Sequence, residues 1–561
     1  MKKLPYGISN YEQLITANYY YVDKTEYIEL IENLAERNIM CLRPRKFGKT
    51  LFTSTLEYYY DLNAKSKFKE LFKNTYIGKH PTKLKNSYHI LKFNFSGIDT
   101  SSDESTILGF KTIVQNSIQA FVLKYGIDFY VNPEQTAEGM LDSLFVAFLT
   151  QKANQKIYVI IDEYDHFANE LLGFNTSKFK ELVSRNGKVR KWYEILKKGT
   201  ESVVDRIFIT GVAPITLDSL TSGFNICSDK TRDVRFNKML GFTKEELISL
   251  FNEMKISKEN QETILPILTE NYDGYKFAKD ADERMYNSNM CLYLLNNYVV
   301  FNKIPENLID VNIASDYKKL SEMLKLCRGE KRKEILETTL SGEGIIAEIV
   351  EKFNPEKEFE EKEFISMLYY LGFLTIIGDT LGYAKLGIPN KIMKELYAEY
   401  FLNIVAKDNS FSTEINYAKI GIDLAGEGKI EKIVDIVHTY LKHLSNRDYQ
   451  RFDEKYVKLV FYCIVMNLKE YSIKSEPEVD RKYPDILIVP RDRTSGYSSV
   501  MVEFKYLKAG EKDRVSEMQK QAKIQIDEYA EFDEIRAIPN LHKYTIVAVN
   551  DELFVEEVWL F

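Results

Sequence analysis

The stretch that decides the fold is Leu42-Arg43-Pro44-Arg45-Lys46-Phe47-Gly48-Lys49-Thr50. It closes a short apolar run, Ile39-Met40-Cys41-Leu42, and opens a segment of helical character from Thr50 onward. A strand, a tight loop and Gly-Lys-Thr at a helix start is the layout of a phosphate-binding loop. Backbone N–H groups at a helix N-terminus face the phosphates, the lysine reaches the terminal ones, and the next hydroxyl ligates Mg²⁺. The full pattern is G-x-x-x-x-G-K-[ST], and Arg43 stands where its first glycine belongs. Alone, then, this is half a motif, equally compatible with a helix N-terminus that carries a surface lysine.

Working outward, Ile157-Tyr158-Val159-Ile160-Ile161 is an apolar run that ends in Asp162-Glu163. A strand ending this way puts Asp162 on the Mg²⁺ shell through water and lets Glu163 polarise an attacking water. Both motifs fall at C-terminal strand ends in the right chain order, which makes nucleotide binding the joint reading. Thr210 closes the next apolar run, Arg206 to Thr210, where a polar residue contacts the nucleotide or its water. Arg235 reads as a solvated arginine and His166 as a partly buried structural histidine. Helical stretches at Asp103–Lys124, Thr136–Lys152 and Lys178–Lys198 separate these apolar strands. Continuous apolar strands alternating with helices indicate an α/β fold, a parallel sheet with helices on both faces, over residues 1–275.

From 276 to 410 the pattern turns helical. It ends in Phe373 to Leu386, two short runs around Gly378-Asp379, which reads as a hairpin and gives a winged-helix-like region. Residues 411–561 read as a second α/β domain, with paired strands at Asp485–Pro490 and Ser498–Lys505 and a helix from Val515 to Phe532. Glu503 and Lys505 are two apart on a strand and share a face. A hairpin would bring Asp485 beside them. Two carboxylates on one Mg²⁺ (or Mn²⁺) suit phosphodiester hydrolysis, with Lys505 orienting the water or steadying developing charge. Glu478 is the candidate additional acid. Gln525 and Tyr529 lie four apart on one helix face. Lys508, Lys512, Lys520 and Lys523 would surround the site with positive charge suited to a phosphate backbone.

The chain has 561 residues, too many for one core. A net charge of −7 argues against a dedicated basic coat for nucleic acid, though a local basic groove stays compatible. Five cysteines lie far apart without C-x-x-C spacing, so neither a disulfide framework nor a zinc site is expected. No stretch offers about 18 charge-free apolar residues and no signal peptide is legible. The expected location is cytoplasmic, with no membrane partner.

The chain resembles AAA-ATPase-like proteins fused to a C-terminal PD-(D/E)XK nuclease-superfamily domain, over nearly its whole length. The resemblance rests on Tyr21-Val22-Asp23-Lys24-Thr25, the loop Arg43 to Thr50, Asp162-Glu163-Tyr164-Asp165, and Thr210 to Ile215. It continues through Met239 to Thr243, Tyr272-Asp273-Gly274-Tyr275 and Ile388-Pro389-Asn390. In that family arginine characteristically replaces the first loop glycine, so Arg43 is expected. The resemblance implies ATP as ligand, with Lys49, Thr50, Asp162 and Glu163 as binding and hydrolytic residues and Tyr21 to Thr25 closing over the base; the expected nucleotide-binding set in all is Arg43 to Thr50, Asp162 and Thr210. Pro484-Asp485 and Glu503-x-Lys505 match the nuclease pattern. Gln525 and Tyr529 resemble an extra motif of RecB-type nucleases beside the metal. The expectation is an ATPase coupled to a Mg²⁺-dependent nuclease, DNA before RNA, with a homo-oligomer compatible. A nucleotide-switched binding module with an inactive nuclease fold is the alternative.

Overall fold

The computed structural model describes residues 2–166, 188–214, 226–305, 307–310, 320, 329–351, 353, 360–408, 415–443, 454–475 and 484–559. Two units emerge. One joins Met1–Arg332 to Gly344–Ile392, and the other joins Lys333–Glu343 to Met393–Phe561.

The first unit is built on β1 (Asn38–Leu42), β2 (His89–Asn94), β3 (Ile157–Asp162), β4 (Val204–Gly211) and β5 (Ser228–Asp229). They form one sheet in the order β2-β3-β4-β1-β5, with parallel pairing throughout. Every residue of β3 is buried, as expected of a strand covered on both faces. Helix α1 (Lys49–Tyr60) follows β1 directly. Helices α2 (Asp103–Tyr125) and α3 (Ala137–Gln151) connect β2 to β3, and the described part of the β3–β4 connection is α4 (Lys188–Gly199). The first ten residues of the expected Lys178–Lys198 helix lie outside the described residues. Trp192 of α4 fixes that helix on the sheet, its ring meeting Phe93, Phe95 and Phe110 edge-on.

A small antiparallel sheet, β6 (Ile345–Ala347), β7 (Thr375–Thr380) and β8 (Tyr383–Gly387), belongs to this same unit. The hairpin expected around Gly378-Asp379 turns instead at Leu381-Gly382. Gly378 and Asp379 are strand residues paired with Lys385 and Ala384. Both turn residues have left-handed φ, 51° and 91°, which a two-residue hairpin of matching twist requires. Sequence favoured Gly-Asp because leucine seldom accepts that conformation. Two separated motifs meet here. Gly274 has φ 102°, a Cβ on it would lie 1.9 Å from Pro389 O, and Asn390 Nδ2–H donates to Asp273 O at 2.9 Å.

The second unit holds a mixed sheet in the order β13-β12-β11-β10-β9. Its strands are β9 (Tyr471–Ser475), β10 (Ile486–Pro490), β11 (Ser499–Leu507), β12 (Leu541–Val549) and β13 (Glu552–Glu557). Strands β9 and β13 had no sequence expectation. The pair β11–β12 is parallel, and α6 (Val515–Ala530) supplies the crossover that parallel strands need. Helix α5 (Glu454–Val465) covers the other face, where Phe461 meets Phe504 at 5.2 Å between centroids. On the α6 face, Leu487, Val489 and Met501 pack against Ile526 and Tyr529.

Candidate functional site

The loop between β1 and α1 forms one wall of a cavity of about 600 Å³ in the first unit. Two of its residues adopt left-handed φ, Lys46 at 68° and Gly48 at 93°. Gly48 is the N-cap of α1, so the chain turns sharply before the first helical residue. The loop is pinned from outside. Phe47 O accepts Gly241 N–H at 3.0 Å, and Lys46 O accepts from Ser288 Oγ at 3.2 Å and Asn289 N–H at 3.3 Å. Phe47 is buried edge-on to Tyr275 and Phe277. Gly241 has φ 85°, and an added Cβ would lie 2.8 Å from Tyr286 O and 3.0 Å from the Phe47 ring, which together account for the glycine there.

Arg43 explains the missing glycine. Its guanidinium is buried and donates to Leu42 O, Thr231 O and Phe236 O at 2.8, 2.9 and 2.6 Å. It also lies over the Phe277 ring, 4.2 Å from the centroid. The side chain therefore locks the back of the loop to the segment after β5 and does not face the cavity. Pro44 packs instead against Gly372, where an added Cβ would come within 2.8 Å of its ring. Thr210 also turns inward, donating to Cys41 O at 2.9 Å within the sheet. Of the expected nucleotide-binding residues, Arg45, Lys46, Phe47, Gly48, Lys49 and Thr50 line the cavity. Arg43, Pro44 and Thr210 stand behind it.

Lys49 is buried, and its ammonium donates to Arg43 O and Pro44 O, both at 3.1 Å. It lies 3.8 Å from Glu163 Oε1. Asp162 is fully buried one residue earlier. Burial raises its carboxyl above the usual carboxylate range, the Glu163 charge adds to the rise, and the Thr50 hydroxyl opposes it. Its Oδ1 has no hydrogen-bond partner among the described residues. Glu163 then takes φ 52°, which swings its side chain into the cavity wall, near Lys49 and 3.9 Å from His166. A buried, orphaned carboxylate oxygen beside a helix-start hydroxyl is a donor set that fits a hard divalent cation. Asp165 anchors this corner: its carboxylate accepts Val212 N–H and Ala213 N–H at 2.7–3.0 Å, tying the end of β3 to the end of β4. Sequence reasoning gave Asp165 no role, although it closes the Asp-Glu-Tyr-Asp run.

Tyr20, Tyr21, Val22 and Lys24 also line the cavity, together with apolar residues such as Phe242 and Leu292. Lys24 is held by Glu246 at 2.6 and 2.8 Å and by Lys238 O at 2.8 Å. Asp23 accepts from Thr25 and from Tyr76 N–H, which fixes the Tyr21 to Thr25 segment in place. An apolar slot beside a lysine-bearing loop suits a flat base attached to phosphates.

In the second unit, Asp485 precedes β10 and Glu503 lies in β11. The register Ile486↔Val502 carries on to place Asp485 opposite Glu503, both on the α6 face. Asp485 Oδ2 accepts Phe504 N–H at 2.7 Å, and Oδ1 lies 2.5 Å from Lys458 Nζ of α5. Lys505 donates to Glu503 Oε1 at 2.8 Å and to Phe504 O at 3.0 Å. Glu503 Oε2 is buried without a partner among the described residues. Burial first, then the Asp485 charge, push the Glu503 carboxyl up to about 7, against the pull of Lys505 and Lys458. Two crowded carboxylates with an orphaned oxygen again fit a divalent cation. No group of three or more His, Cys, Asp or Glu with metal-holding geometry occurs among the described residues. Glu478 lies outside them.

Tyr529 of α6 stands in the same electrostatic field. Burial pushes its phenol up to about 12, and the charges of Glu503 and Asp485 contribute. Gln525, one turn earlier, has a buried Oε1 without a partner among the described residues. Of the expected basic rim, Lys512 pairs with Glu552, and the nearby Arg514 pairs with Glu511 and Glu517. Lys458 was missed. Its signal was a lysine set between Val457 and the apolar run Leu459 to Phe461.

Two family models match the chain. Residues 5–221 match the family described as predicted AAA-ATPase, and residues 452–558 match the PD-(D/E)XK nuclease superfamily. The chain joins an AAA-ATPase-like domain to a PD-(D/E)XK nuclease-superfamily domain. A curated relative from Azotobacter chroococcum mcd 1, described as an uncharacterized protein in the vnfD 5' region, is 25% identical over 292 residues. The match covers 50% of each chain, so the chain spans about half the length of that relative. A solved Walker-type ATPase of Pyrococcus abyssi superposes at a TM-score of 0.37 with 11% identity. That alignment covers 71% of this chain and 98% of the other, and is too loose to decide anything here. No helix among the described residues is long and apolar enough to cross a membrane.

Proposed function

We propose that the chain is an ATP-hydrolysing protein whose C-terminal domain cuts nucleic-acid phosphodiesters, with nucleotide turnover controlling the cut. The observation that carries the cutting half is the convergence of Asp485, Glu503 and Lys505 on one sheet face. Strand register alone produces it from segments 18 residues apart in sequence.

In the first unit, the α1 N-terminus and Lys49 would attract the phosphates, because first-turn N–H groups lack intrahelical acceptors and the lysine adds a full charge. Lys49 would exchange the carbonyls of Arg43 and Pro44 for phosphate oxygens. Thr50 and Asp162 would hold a divalent ion, and Glu163, aimed into the cavity, would orient the attacking water. In the second unit, Asp485 and Glu503 would hold Mg²⁺ or Mn²⁺, and Lys505 would steady charge on the phosphate. Bound divalent ions supply charge to the phosphate oxygens and, at the second site, make a water more acidic. The substrate proposed is DNA before RNA. The pairing of an ATPase with a nuclease fold suits action on foreign or mobile DNA.

The test is incubation of the purified chain with supercoiled DNA, linear DNA and RNA, with Mg²⁺ or Mn²⁺. Cleavage should vanish in the double variant Asp485→Ala, Lys505→Ala; equal cleavage by wild type and variant removes the nuclease assignment. A second reading is a nucleotide-switched nucleic-acid or protein binding module with an inactive nuclease fold, supported by the ion pairs of Lys512 and Arg514, which take charge away from a phosphate backbone to be cut. Phosphate release with and without DNA, in the absence of any cleavage, would select it.

A further inference from the structure

One oxygen of the carboxylate pair is already in contact with a cation that belongs to the chain. Lys458 Nζ lies 2.5 Å from Asp485 Oδ1, while Asp485 Oδ2 accepts the Phe504 N–H. The same ammonium lies 3.4 Å from Glu454 Oε1, one helical turn back. Across the sheet, Lys505 takes Glu503 Oε1 and leaves Glu503 Oε2 buried and unpartnered among the described residues. These four side chains therefore bring two carboxyl groups and two ammonium groups into a small, largely buried volume. The Lys458 and Lys505 side chains are each 18% exposed.

The position of Lys458 is unusual for its helix. Val457, Leu459, Val460 and Phe461 are all buried, so packing would favour an apolar residue there. A lysine at such a site is costly unless its charge is paired, and Asp485 supplies the pair. A metal ion and an ammonium cannot both bond the same carboxylate oxygen at close range without strong like-charge repulsion.

We propose that Lys458 is a built-in competitor for the divalent ion, holding Asp485 in position and having to leave its Oδ1 before the ion can bind there. The inference rests on reading Asp485 and Glu503 as a metal-binding pair. Its consequence is that the site fills only at a higher metal concentration than two buried carboxylates would otherwise require. Lys458 is thus a positioning residue for Asp485 and a brake on loading.

The experiment titrates Mn²⁺ into the full chain without nucleotide or nucleic acid, following free Mn²⁺ by electron paramagnetic resonance. The binding that disappears in Asp485→Asn defines the site. Lys458→Met, which keeps side-chain length and packing, should bind Mn²⁺ about tenfold more tightly there than wild type, in the usual range of coupling between two ligands. Lys458→Arg keeps the charge and should stay as weak as wild type, a distinction a purely structural lysine would not produce. Equal or weaker binding by Lys458→Met overturns the proposal, and so does an arginine variant that behaves like the methionine one. If Asp485→Asn removes no Mn²⁺ binding from either wild type or Lys458→Met, the metal-site reading itself falls and the proposal with it.

Discussion

The two candidate sites solve the problem of crowded charge in opposite ways. At the nucleotide site the acids are consecutive, Asp162 and Glu163, and the backbone separates them. Asp162 stays buried at the strand end, while φ 52° at Glu163 turns the next side chain into the cavity. One lysine, Lys49, serves two loop carbonyls and approaches Glu163. At the nuclease-like site the acids come from neighbouring strands and share a face, so nothing separates them. Each has its own lysine, Lys458 for Asp485 and Lys505 for Glu503. The first arrangement leaves a positive loop facing a cavity and suits a polyanion. The second brings two carboxylates onto one face and matches each with an ammonium of the chain.

The sharpest way to break this contrast is at Glu163. If the strand-end turn separates a metal-holding acid from a water-orienting one, Glu163→Gln should leave ATP binding near wild type and lower turnover roughly 10²–10⁴-fold, the usual range for a lost general base. Lys49→Met should lose binding as well, because the buried ammonium held on the loop carbonyls beside the α1 N-terminus goes with it. Equilibrium binding of a fluorescent ATP analogue, beside a phosphate-release assay, separates the two outcomes. A Glu163→Gln chain that hydrolyses at the wild-type rate would erase the division of labour.

The same contrast governs what could be read from sequence. The nucleotide site is written in two contiguous words, and local chemistry suffices for them. Gly48 must take a left-handed turn, Lys49 and Thr50 follow at fixed spacing, and an apolar strand ends in two acids. What sequence could not show there is direction. Arg43 and Thr210 sit where a ligand contact was expected, yet burial and nearby carbonyls turn both inward. The nuclease-like site is assembled by register. Glu503 and Lys505 were legible from strand alternation, and Asp485 from the hairpin. Lys458 was not, because a helix in contact with the sheet edge is a tertiary fact with no fixed spacing to Asp485. The Leu381-Gly382 turn escaped for a local reason, since leucine at positive φ runs against its own preference.

A stability test sharpens the first half. Asp165 is fully buried, and its carboxylate satisfies the N–H groups of Val212 and Ala213. Asp165→Ala leaves two buried donors without acceptors, at about 1–3 kcal/mol each. Denaturant unfolding should show a loss of roughly 2–6 kcal/mol. Asp165→Asn, which keeps one acceptor oxygen, should lose less. Equal losses would mean that the charge, and not the hydrogen bonds, holds β3 to β4.

The second half predicts a pH effect. The Glu503 carboxyl is raised in the folded state to about 7 from an ordinary value of 4.5. A carboxyl shifted upward adds stability that is complete below its unfolded value and is lost as pH rises through the folded one. The window is therefore pH 4.5 to 7, with the folded state weakened above it. Glu503→Gln cannot ionise and mimics the protonated form. It should unfold later than wild type at pH 8, by about 2 kcal/mol at the usual 1.4 kcal/mol per unit after discounting for coupling to Asp485. At pH 5 the two should nearly coincide. A variant less stable than wild type at pH 8 would show that the Lys505 pair outweighs the crowding.

The smallest effect is expected at the rim. Lys512 is more than half exposed and already paired with Glu552, itself half exposed. A lysine that neutralises a carboxylate has little charge left for a phosphate, and an exposed pair is in any case weak. Lys512→Ala should therefore change nucleic-acid affinity less than about twofold and leave the salt dependence of binding almost unaltered. A true phosphate contact would lower the slope of log K against log salt by about 0.9. Glu552→Gln is the informative partner. It frees Lys512 without moving it, so affinity should rise and the slope should steepen by up to that same amount. If Lys512→Ala alone removes a full contact from the slope, the pair with Glu552 is not the resting state of this lysine in solution. The second site would then carry a basic margin that its partner carboxylates conceal, and it would share the polyanion character of the first.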